Sequence, residues 1–323
     1  MTPAPFHLLP GDPPAPARAF WAQADDGVKL RLAHWPAAGD RDAAGTILLF
    51  PGRTEYLEKY ARVGHELAAE GFHVIAADWR GQGMSDRLQA DPRPGHVADF
   101  ADFQRDVVEI VIAAQDLDLP QPWHLLAHSM GGAIGLAALI NELPVRSAVF
   151  SAPMWGIMAR PAMRLLGTGL SRVAGRLGRS GLPAIGTGGR GSFVLDGPFR
   201  DNLLTEDGLQ WGRMVAEAAA WPDLTLGGAS YGWVGSAFAE IDRLAAVPAS
   251  GLPDIPVLVA LGDREKIVAP DAIRARVDRW PGAKLMRIDG GRHEAMLDAG
   301  APHPLHERGT RAFPRQRLSG RGG

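Results

Sequence analysis

A serine surrounded by small residues is the first feature of the sequence that could do chemistry. It lies in the stretch Ala127-His128-Ser129-Met130-Gly131-Gly132. The apolar run 123–126 before it is typical of a buried strand, and the run 133–140 after it is typical of a helix. Small residues two positions either side of Ser129 predict a sharp strand-to-helix turn that presents the hydroxyl as a nucleophile. Ala127 stands where glycine is usual in this pattern, and it keeps that position small.

The partners of Ser129 are predicted from the order of acids and histidines along the chain. A serine hydroxyl needs a base within hydrogen-bond reach and a third group that orients the base. After such a turn the acid is expected next in the chain and the histidine last. Asp263 follows an apolar strand and His293 follows the last predicted strand, so we predict a triad of Ser129, Asp263 and His293. The alternatives, less well placed, are the acids Asp254, Asp271 and Asp289 and the tail histidines His303 and His306.

Two backbone amides are predicted to bind the negative charge that develops on a carbonyl oxygen. One is the amide of Met130, directly after the nucleophile, and the other is the amide of Arg53, in the loop after an earlier strand. Gly52 lets the backbone of that loop approach closely. Loss of one such donor typically costs about 3–4 kcal/mol of transition-state stabilisation. The nearby Gly81-x-Gly83 lacks a third glycine, so it predicts a structural loop and not a dinucleotide site.

The elements that position these residues alternate between strands and helices. The turn Asp25-Asp26-Gly27 predicts a β-hairpin over residues 20–35. Further strands are predicted at 46–50, 72–77, 123–126, 146–150, 255–261 and 284–288, and helices at 57–70, 99–116, 133–140 and 270–279. This pattern indicates an α/β fold with a mostly parallel central sheet and helices on both faces. Ligands bind beyond the carboxyl ends of such strands, which is where the loops at Pro51, Asp78 and Ser129 begin.

The chain is predicted to have a core, an insertion and two irregular ends. The core comprises residues 18–152 and 254–298. Residues 153–253 break the strand–helix alternation and predict a helical lid, since they begin where a substrate pocket should open. Residues 1–17 are expected to be a flexible arm, and residues 299–323 to be an irregular, disordered tail.

Composition narrows the classes of function. The net charge of −2 gives no basic field for nucleic acid, and the absence of cysteine excludes disulfides and thiolate metal sites. His124 and His128 straddle a strand and a turn, so they do not form a metal pair, and no metal or cofactor is predicted. Residues 1–16 lack a secretory signal pattern, and no apolar run reaches the roughly 20 residues of a membrane span. We expect a cytoplasmic enzyme, with membrane association left open.

Five motifs carry a resemblance to a known enzyme family. They are Phe50-Pro51-Gly52-Arg53-Thr54-Glu55-Tyr56, Asp78-Trp79-Arg80-Gly81-Gln82-Gly83-x-Ser85, His128-Ser129-Met130-Gly131-Gly132, Gly262-Asp263-x-x-x-x-Val268 and Gly291-Arg292-His293-Glu294. Over residues 20–298, apart from most of the lid, the chain resembles the α/β-hydrolase superfamily. Within it, the chain is similar to the lysophospholipase and monoacylglycerol-lipase-like hydrolases of the serine aminopeptidase S33 type. The stretch 53–56 favours the bacterial lysophospholipase-like branch.

The resemblance implies ester hydrolysis through an acyl-serine intermediate, without a cofactor. A lipid or other small-molecule ester is the expected substrate, and the lid is expected to supply an apolar acyl pocket and a peripheral membrane contact. A thioesterase, a peptidase, another carboxylester hydrolase or a cofactor-free haloperoxidase remain alternatives on this fold. The stretch 300–323 departs from the family, whose members end in an amphipathic helix. Our hypothesis is a frameshifted C-terminus, and a catalytically impaired binding protein is the alternative from a different class.

Overall fold

The computed structural model describes residues 1–16, 18–39, 43–188 and 191–298. The strands in this part are β1 Thr2–Pro3, β2 Arg18–Gln23, β3 Lys29–Trp35, β4 Gly45–Phe50, β5 Phe72–Ala77, β6 Trp123–His128, β7 Ser147–Ser151, β8 Val257–Gly262 and β9 Ala283–Ile288. They form one sheet in the order β1-β2-β3-β5-β4-β6-β7-β8-β9. The pairs β1–β2, β2–β3 and β3–β5 are antiparallel. All other neighbouring strands, from β5 to β9 in the sheet order, are parallel. The predicted mostly parallel α/β sheet is confirmed.

Helices cover both faces of this sheet. The helices of the described part are α1 Ala61–Ala69, α2 Phe103–Asp116, α3 Met130–Ile140, α4 Pro161–Arg176, α5 Phe193–Asp196, α6 Gly208–Ala220, α7 Tyr231–Ala246 and α8 Pro270–Val277. Successive side chains of a strand point to opposite faces. Leu48 therefore joins the buried cluster that contains residues of α2, α3 and α8, whereas Leu49 joins the cluster on the other face, which contains residues of α1. Short 3₁₀ helices at Leu57–Tyr60 and Phe100–Asp102 lead into α1 and α2.

The N-terminal residues are docked on the sheet, which corrects the expectation of a flexible arm over 1–17. Thr2 and Pro3 pair with β2, and the amide of Ala4 donates to the carbonyl of Ala19 over 2.8 Å. The amide of His7 donates to the Glu58 carboxylate over 3.1 Å. These bonds satisfy backbone groups along the edge of the sheet, so the segment follows β2 instead of extending into solvent.

The insertion between β7 and β8 contains α4 to α7 and packs against loops at the carboxyl edge of the sheet. Arg53 Nη2 donates to the Gly227 carbonyl over 3.0 Å, and the amide of Glu294 donates to the Leu204 carbonyl over 2.8 Å. The helices found in the described part of residues 153–253 agree with the predicted helical insertion. Its function as a lid stays a prediction. No helix in the described ranges is both long enough and apolar enough to span a membrane. The tail 299–323, with the hypothesis of a lost final helix, lies outside the described residues.

Candidate active site

Ser129 occupies a strained turn between β6 and α3. Its backbone has φ 49° and ψ −117°, a combination that L-residues rarely adopt. The amide of Ser129 donates to the carbonyl of Ser151 at the end of β7 over 3.0 Å. A Cβ at Gly131 would lie 2.2 Å from the Phe50 carbonyl oxygen, so only glycine allows α3 to begin this close to β4. Ala127 is fully buried in β6, where its methyl group is accommodated.

His293 connects Ser129 to a carboxylate. His293 Nε2 lies 2.8 Å from Ser129 Oγ, and His293 Nδ1 lies 2.8 Å from Glu265 Oε2. All three residues are less than a tenth exposed. The arrangement can move a proton from the serine hydroxyl to the imidazole, while the carboxylate fixes the tautomer and stabilises the imidazolium that forms. The structure thus brings Ser129 and His293 together as the strand order predicts.

The acid at His293 is Glu265, and the prediction of Asp263 for this position is corrected. Asp263 accepts from the Gly290 amide over 2.9 Å and from Arg287 Nη2 over 3.0 Å. Asp263 is thus bonded to β9 and to the loop after it, and not to the imidazole. The chain makes a turn after Gly262, so the residue three positions beyond the end of β8 faces the site. Both acids follow the same strand, and the sequence alone does not say which one the turn directs inward.

Glu265 is held in its charged form. Burial would raise the pKa of Glu265, but the hydrogen bond from His293 and those from the amides of Ile267 and Val268 outweigh it, and the net pKa lies below the ordinary value. The hydrogen bonds from the two amides measure 2.6 Å and 3.1 Å, and both end on Glu265 Oε1, which leaves Oε2 for the imidazole. A carboxylate with both oxygens bonded is fixed in position as well as charged.

Two backbone amides are suited to bind an oxyanion. Met130 is the first residue of α3, so its amide has no partner within the helix. Arg53 lies in the loop after β4, and the start of that loop is close to the beginning of α3, since a Cβ at Gly131 would lie 2.5 Å from the Pro51 carbonyl oxygen. Within the described ranges, neither amide donates a hydrogen bond to a protein acceptor. Gly52 donates its own amide to the Glu55 carboxylate, so that amide is occupied.

A buried ionic cluster lies behind the imidazole. Lys59 Nζ lies 2.6 Å from Glu55 Oε1 and 2.7 Å from Glu294 Oε1. His128 Nε2 lies 3.6 Å from Glu55 Oε1, and its ring centroid is 4.9 Å from that of His293. Burial lowers the pKa of His128, which favours the neutral imidazole. Within the described part, Glu55, His128 and Glu294 form the one group close enough to hold a metal, but the ammonium of Lys59 already bridges its carboxylates. The cluster therefore fits a salt-bridge network better than a metal centre.

The Gly81-x-Gly83 loop is held by a buried carboxylate. Asp78 accepts from Arg31 Nε over 2.8 Å, from the Leu57 amide over 2.9 Å and from the Met84 amide over 2.8 Å. Gly83 has φ +51°, and a Cβ there would lie 2.2 Å from the Asp78 carboxyl carbon. The glycine is required for this approach, in agreement with a structural loop beside the site.

The parallel sheet, the serine turn and the histidine loop together define the class of protein as an α/β hydrolase. A structure of a soluble variant of monoglyceride lipase from Saccharomyces cerevisiae, in complex with a substrate analog, superposes with a TM-score of 0.67 at 18% identity. It covers 91% of this chain and 92% of that one, which establishes the similarity of fold.

A family model narrows the class. The model described as serine aminopeptidase, S33 matches residues 41–300, and the chain belongs to this family. Lysophospholipase L2 of Escherichia coli K12 is 33% identical over 306 residues, covering 90% of this chain and 84% of that protein. Monoacylglycerol lipase of Mycolicibacterium smegmatis is 27% identical over 258 residues, covering 78% of this chain and 81% of that protein. The chain is therefore an enzyme that hydrolyses esters.

Proposed function

We propose that the protein hydrolyses lipid monoesters through an acyl-serine intermediate. Ser129 Oγ attacks the ester carbonyl while His293 Nε2 accepts its proton and then returns it to the leaving alcohol. The amides of Met130 and Arg53 bind the oxyanion of each tetrahedral intermediate. Water, deprotonated by His293, attacks the acyl carbon and releases the fatty acid. The observation that carries this proposal is the imidazole of His293, 2.8 Å from both Ser129 Oγ and Glu265 Oε2.

The side chain of Arg53 favours a lysophospholipid over a monoacylglycerol. Its guanidinium carbon lies 5.0 Å from the centroid of the Trp233 ring, and its Nε is buried without a hydrogen-bond partner in the described part. Among the described residues, no charged group contributes to the pKa of Arg53, whose shift is caused by burial alone. Burial lowers the pKa of Arg53 to about 10, so the side chain remains charged at neutral pH. The half-buried guanidinium donates to the Gly227 carbonyl but has no counter-ion within the described ranges, and a substrate phosphate would supply one.

The insertion is proposed to act as a lid that contacts a lipid surface. Leu165 in α4 and Leu177 directly after it are 76% and 66% exposed. Arg172, Arg176 and Arg179 are exposed on the same segment. An exposed segment that mixes leucines and arginines suits the interface of a membrane with anionic lipids. Such a contact would bring the opening of the site close to its insoluble substrate.

The decisive assay compares three esters: a lysophosphatidylcholine, a monoacylglycerol with the same acyl chain, and a p-nitrophenyl ester. Arg53→Met retains the backbone amide but removes the guanidinium. We expect kcat/KM for lysophosphatidylcholine to fall about tenfold or more, the worth of one charge-assisted hydrogen bond, with less than about a threefold fall for monoacylglycerol.

Arg53→Lys is the matched control because it retains a cation, and it should recover part of the lysophosphatidylcholine activity. Equal losses on both lipids would contradict the phosphate contact, although they would leave ester hydrolysis intact. A wild-type enzyme that hydrolyses none of the three esters, or a Ser129→Ala variant as active as the wild type, would overturn the proposed function itself.

A further inference from the structure

Gln82 lies between the two loops that flank the site, and nothing in the reaction scheme uses its side chain. It is 4% exposed and belongs to the glycine-containing loop after β5. Its amide group contacts two peptide groups of the loop after β4. Nε2 donates to the carbonyl of Gly52 over 3.1 Å, and Oε1 accepts from the amide of Thr54 over 3.0 Å.

The first of these bonds fixes the direction of the Arg53 amide. The carbonyl of Gly52 and the amide of Arg53 belong to the same peptide group. That peptide is trans, because the one cis bond among the described residues is Gln121–Pro122. In a planar trans peptide the C=O and N–H bonds point in opposite directions. A donor that holds the Gly52 carbonyl on one side therefore holds the Arg53 N–H toward the other.

Neighbouring bonds prevent this peptide from rotating. The indole of Trp79 donates to the Pro51 carbonyl over 2.8 Å, and the Gly52 amide donates to Glu55. Thr54 has φ +64°, a conformation that is costly for a residue other than glycine. The hydrogen bond from its backbone N–H to Gln82 Oε1 compensates for part of that cost. The peptides before and after the Arg53 amide are thus each held by a side chain.

We propose that Gln82 is a positioning residue that holds the Arg53 amide in the orientation that binds the oxyanion. This inference rests on the proposed function, because it assumes that Arg53 supplies one of the two amides. Gly81 and Gly83, on either side of Gln82, explain how its side chain reaches the loop after β4. Gly81 has φ +79° and Gly83 has φ +51°, so the loop folds back and directs Gln82 toward the β4 loop. Asp78 then anchors the loop through the Met84 amide.

Gln82→Glu is the sharpest variant, because it keeps the shape of the side chain and the acceptor for the Thr54 amide, but replaces the donor to the Gly52 carbonyl with a charged oxygen. A carboxylate oxygen would face that carbonyl oxygen and favour a flipped peptide. Removal of an oxyanion donor costs about 10²–10³ in kcat, so partial misorientation should lower kcat about 10- to 100-fold. KM should change less than about threefold, since ground-state binding does not use this amide. Affinity for an alkyl boronic acid, which forms a tetrahedral adduct on the serine, should fall in parallel with kcat.

Arg87→Met is the control. Arg87 donates to the carbonyls of Gly81, Gly83, Pro92 and Asp223 and supports the same loop, but none of its described hydrogen bonds goes to residues 52–54. This variant should keep kcat and boronic acid affinity within about twofold of the wild type, because it leaves both bonds between Gln82 and the β4 loop in place. If Gln82→Glu keeps wild-type kcat, or loses kcat without losing boronic acid affinity, the positioning role is wrong.

A measurement on the wild type tests the premise on which the inference rests, namely that the Arg53 amide binds the oxyanion. In ¹⁵N-arginine-labelled protein, the Arg53 amide resonance, assigned by its loss in Arg53→Lys, should shift downfield on boronic acid binding. No shift in an enzyme that binds the boronic acid would overturn the inference. An enzyme that neither hydrolyses esters nor binds the boronic acid would instead refute the proposed function.

Discussion

At the residue scale, the choice between two neighbouring acids is the most specific claim about the site. Glu265 bonds to the His293 imidazole, whereas Asp263 bonds to Arg287 and the Gly290 amide. Position along the chain was sufficient to predict Ser129 and His293, because each follows a strand whose end defines one edge of the sheet. Position could not separate the two acids, because both follow β8 and only the path of the turn decides which one reaches the imidazole.

Replacement of each acid by its amide tests this choice. We expect Glu265→Gln to lower kcat by about 10³- to 10⁴-fold, because an amide in that place favours the wrong imidazole tautomer. Asp263→Asn makes the same change of charge two residues away and should retain activity within a few-fold. Steady-state hydrolysis of a p-nitrophenyl ester measures both variants. A severe loss in Asp263→Asn together with mild loss in Glu265→Gln would return the role of acid to Asp263.

At the element scale, the loop after β5 depends on contacts that periodicity does not reveal. Strands and helices could be predicted from runs of apolar residues, and their bounds agree to within a few positions. Two contacts of this loop could not be predicted in this way, namely the approach of Gly83 to Asp78 and the contact of Gln82 with Gly52. Each depends on where a single side chain points, which a pattern of apolar residues does not indicate.

A methyl group at Gly83 tests the close packing of this loop. Gly83→Ala combines left-handed backbone strain with a clash against the Asp78 carboxylate, so the free energy of unfolding should fall by about 3–4 kcal/mol. Gly71→Ala is matched, since Gly71 has φ +90° but open space around a Cβ, and should cost only about 1–2 kcal/mol. Urea denaturation measures both. Equal losses would mean that strain alone determines the need for glycine at position 83.

Helix α4 gives an element-scale test of the proposed membrane contact. Leu165→Gln removes an exposed apolar group from α4, and we expect weaker sedimentation with vesicles that contain phosphatidylglycerol. Val108→Gln is the control, because Val108 is 53% exposed on α2, outside the insertion. Added salt should weaken wild-type binding, since the arginines of α4 attract anionic lipid. Binding that is absent from the wild type, or equally reduced in both variants, contradicts contact through α4.

At the scale of the whole molecule, buried histidines make stability depend on pH. Burial lowers the pKa of His34 and of His124 to about 4 from the ordinary 6.5. The folded state therefore resists a proton that the unfolded chain accepts. Stability contributed by these neutral imidazoles is complete above pH 6.5 and is lost as the pH falls from 6.5 toward 4. Each such histidine should lower the free energy of unfolding by about 1.4 kcal/mol per pH unit within that window.

Denaturant unfolding at several pH values between 7.5 and 4.5 measures this slope. His124→Gln should make the slope shallower by about one proton. His65→Gln, at an exposed position of α1, is the control for the substitution itself. A slope of His124→Gln equal to that of the wild type would show that His124 is not a source of the acid sensitivity.

The central sheet could be predicted from the sequence, whereas the strand at its edge could not. Alternating apolar strands and helices determine a parallel sheet, and the sheet in turn places the serine and histidine loops at one edge. The pairing of Thr2–Pro3 with β2 could not be foreseen, because a two-residue strand has no periodicity and depends on an edge that only the folded sheet provides. The contacts between the insertion and the site likewise arise from tertiary packing.

The central claim is that Ser129 forms a covalent intermediate, and reaction with a fluorophosphonate tests it most directly. Mass spectrometry of the wild-type enzyme should find one adduct per chain, on the peptide that contains Ser129, with loss of esterase activity in proportion to labelling. Ser129→Ala should remain unlabelled. An adduct on another residue, equal labelling of Ser129→Ala, or an active wild type that never reacts would contradict the account.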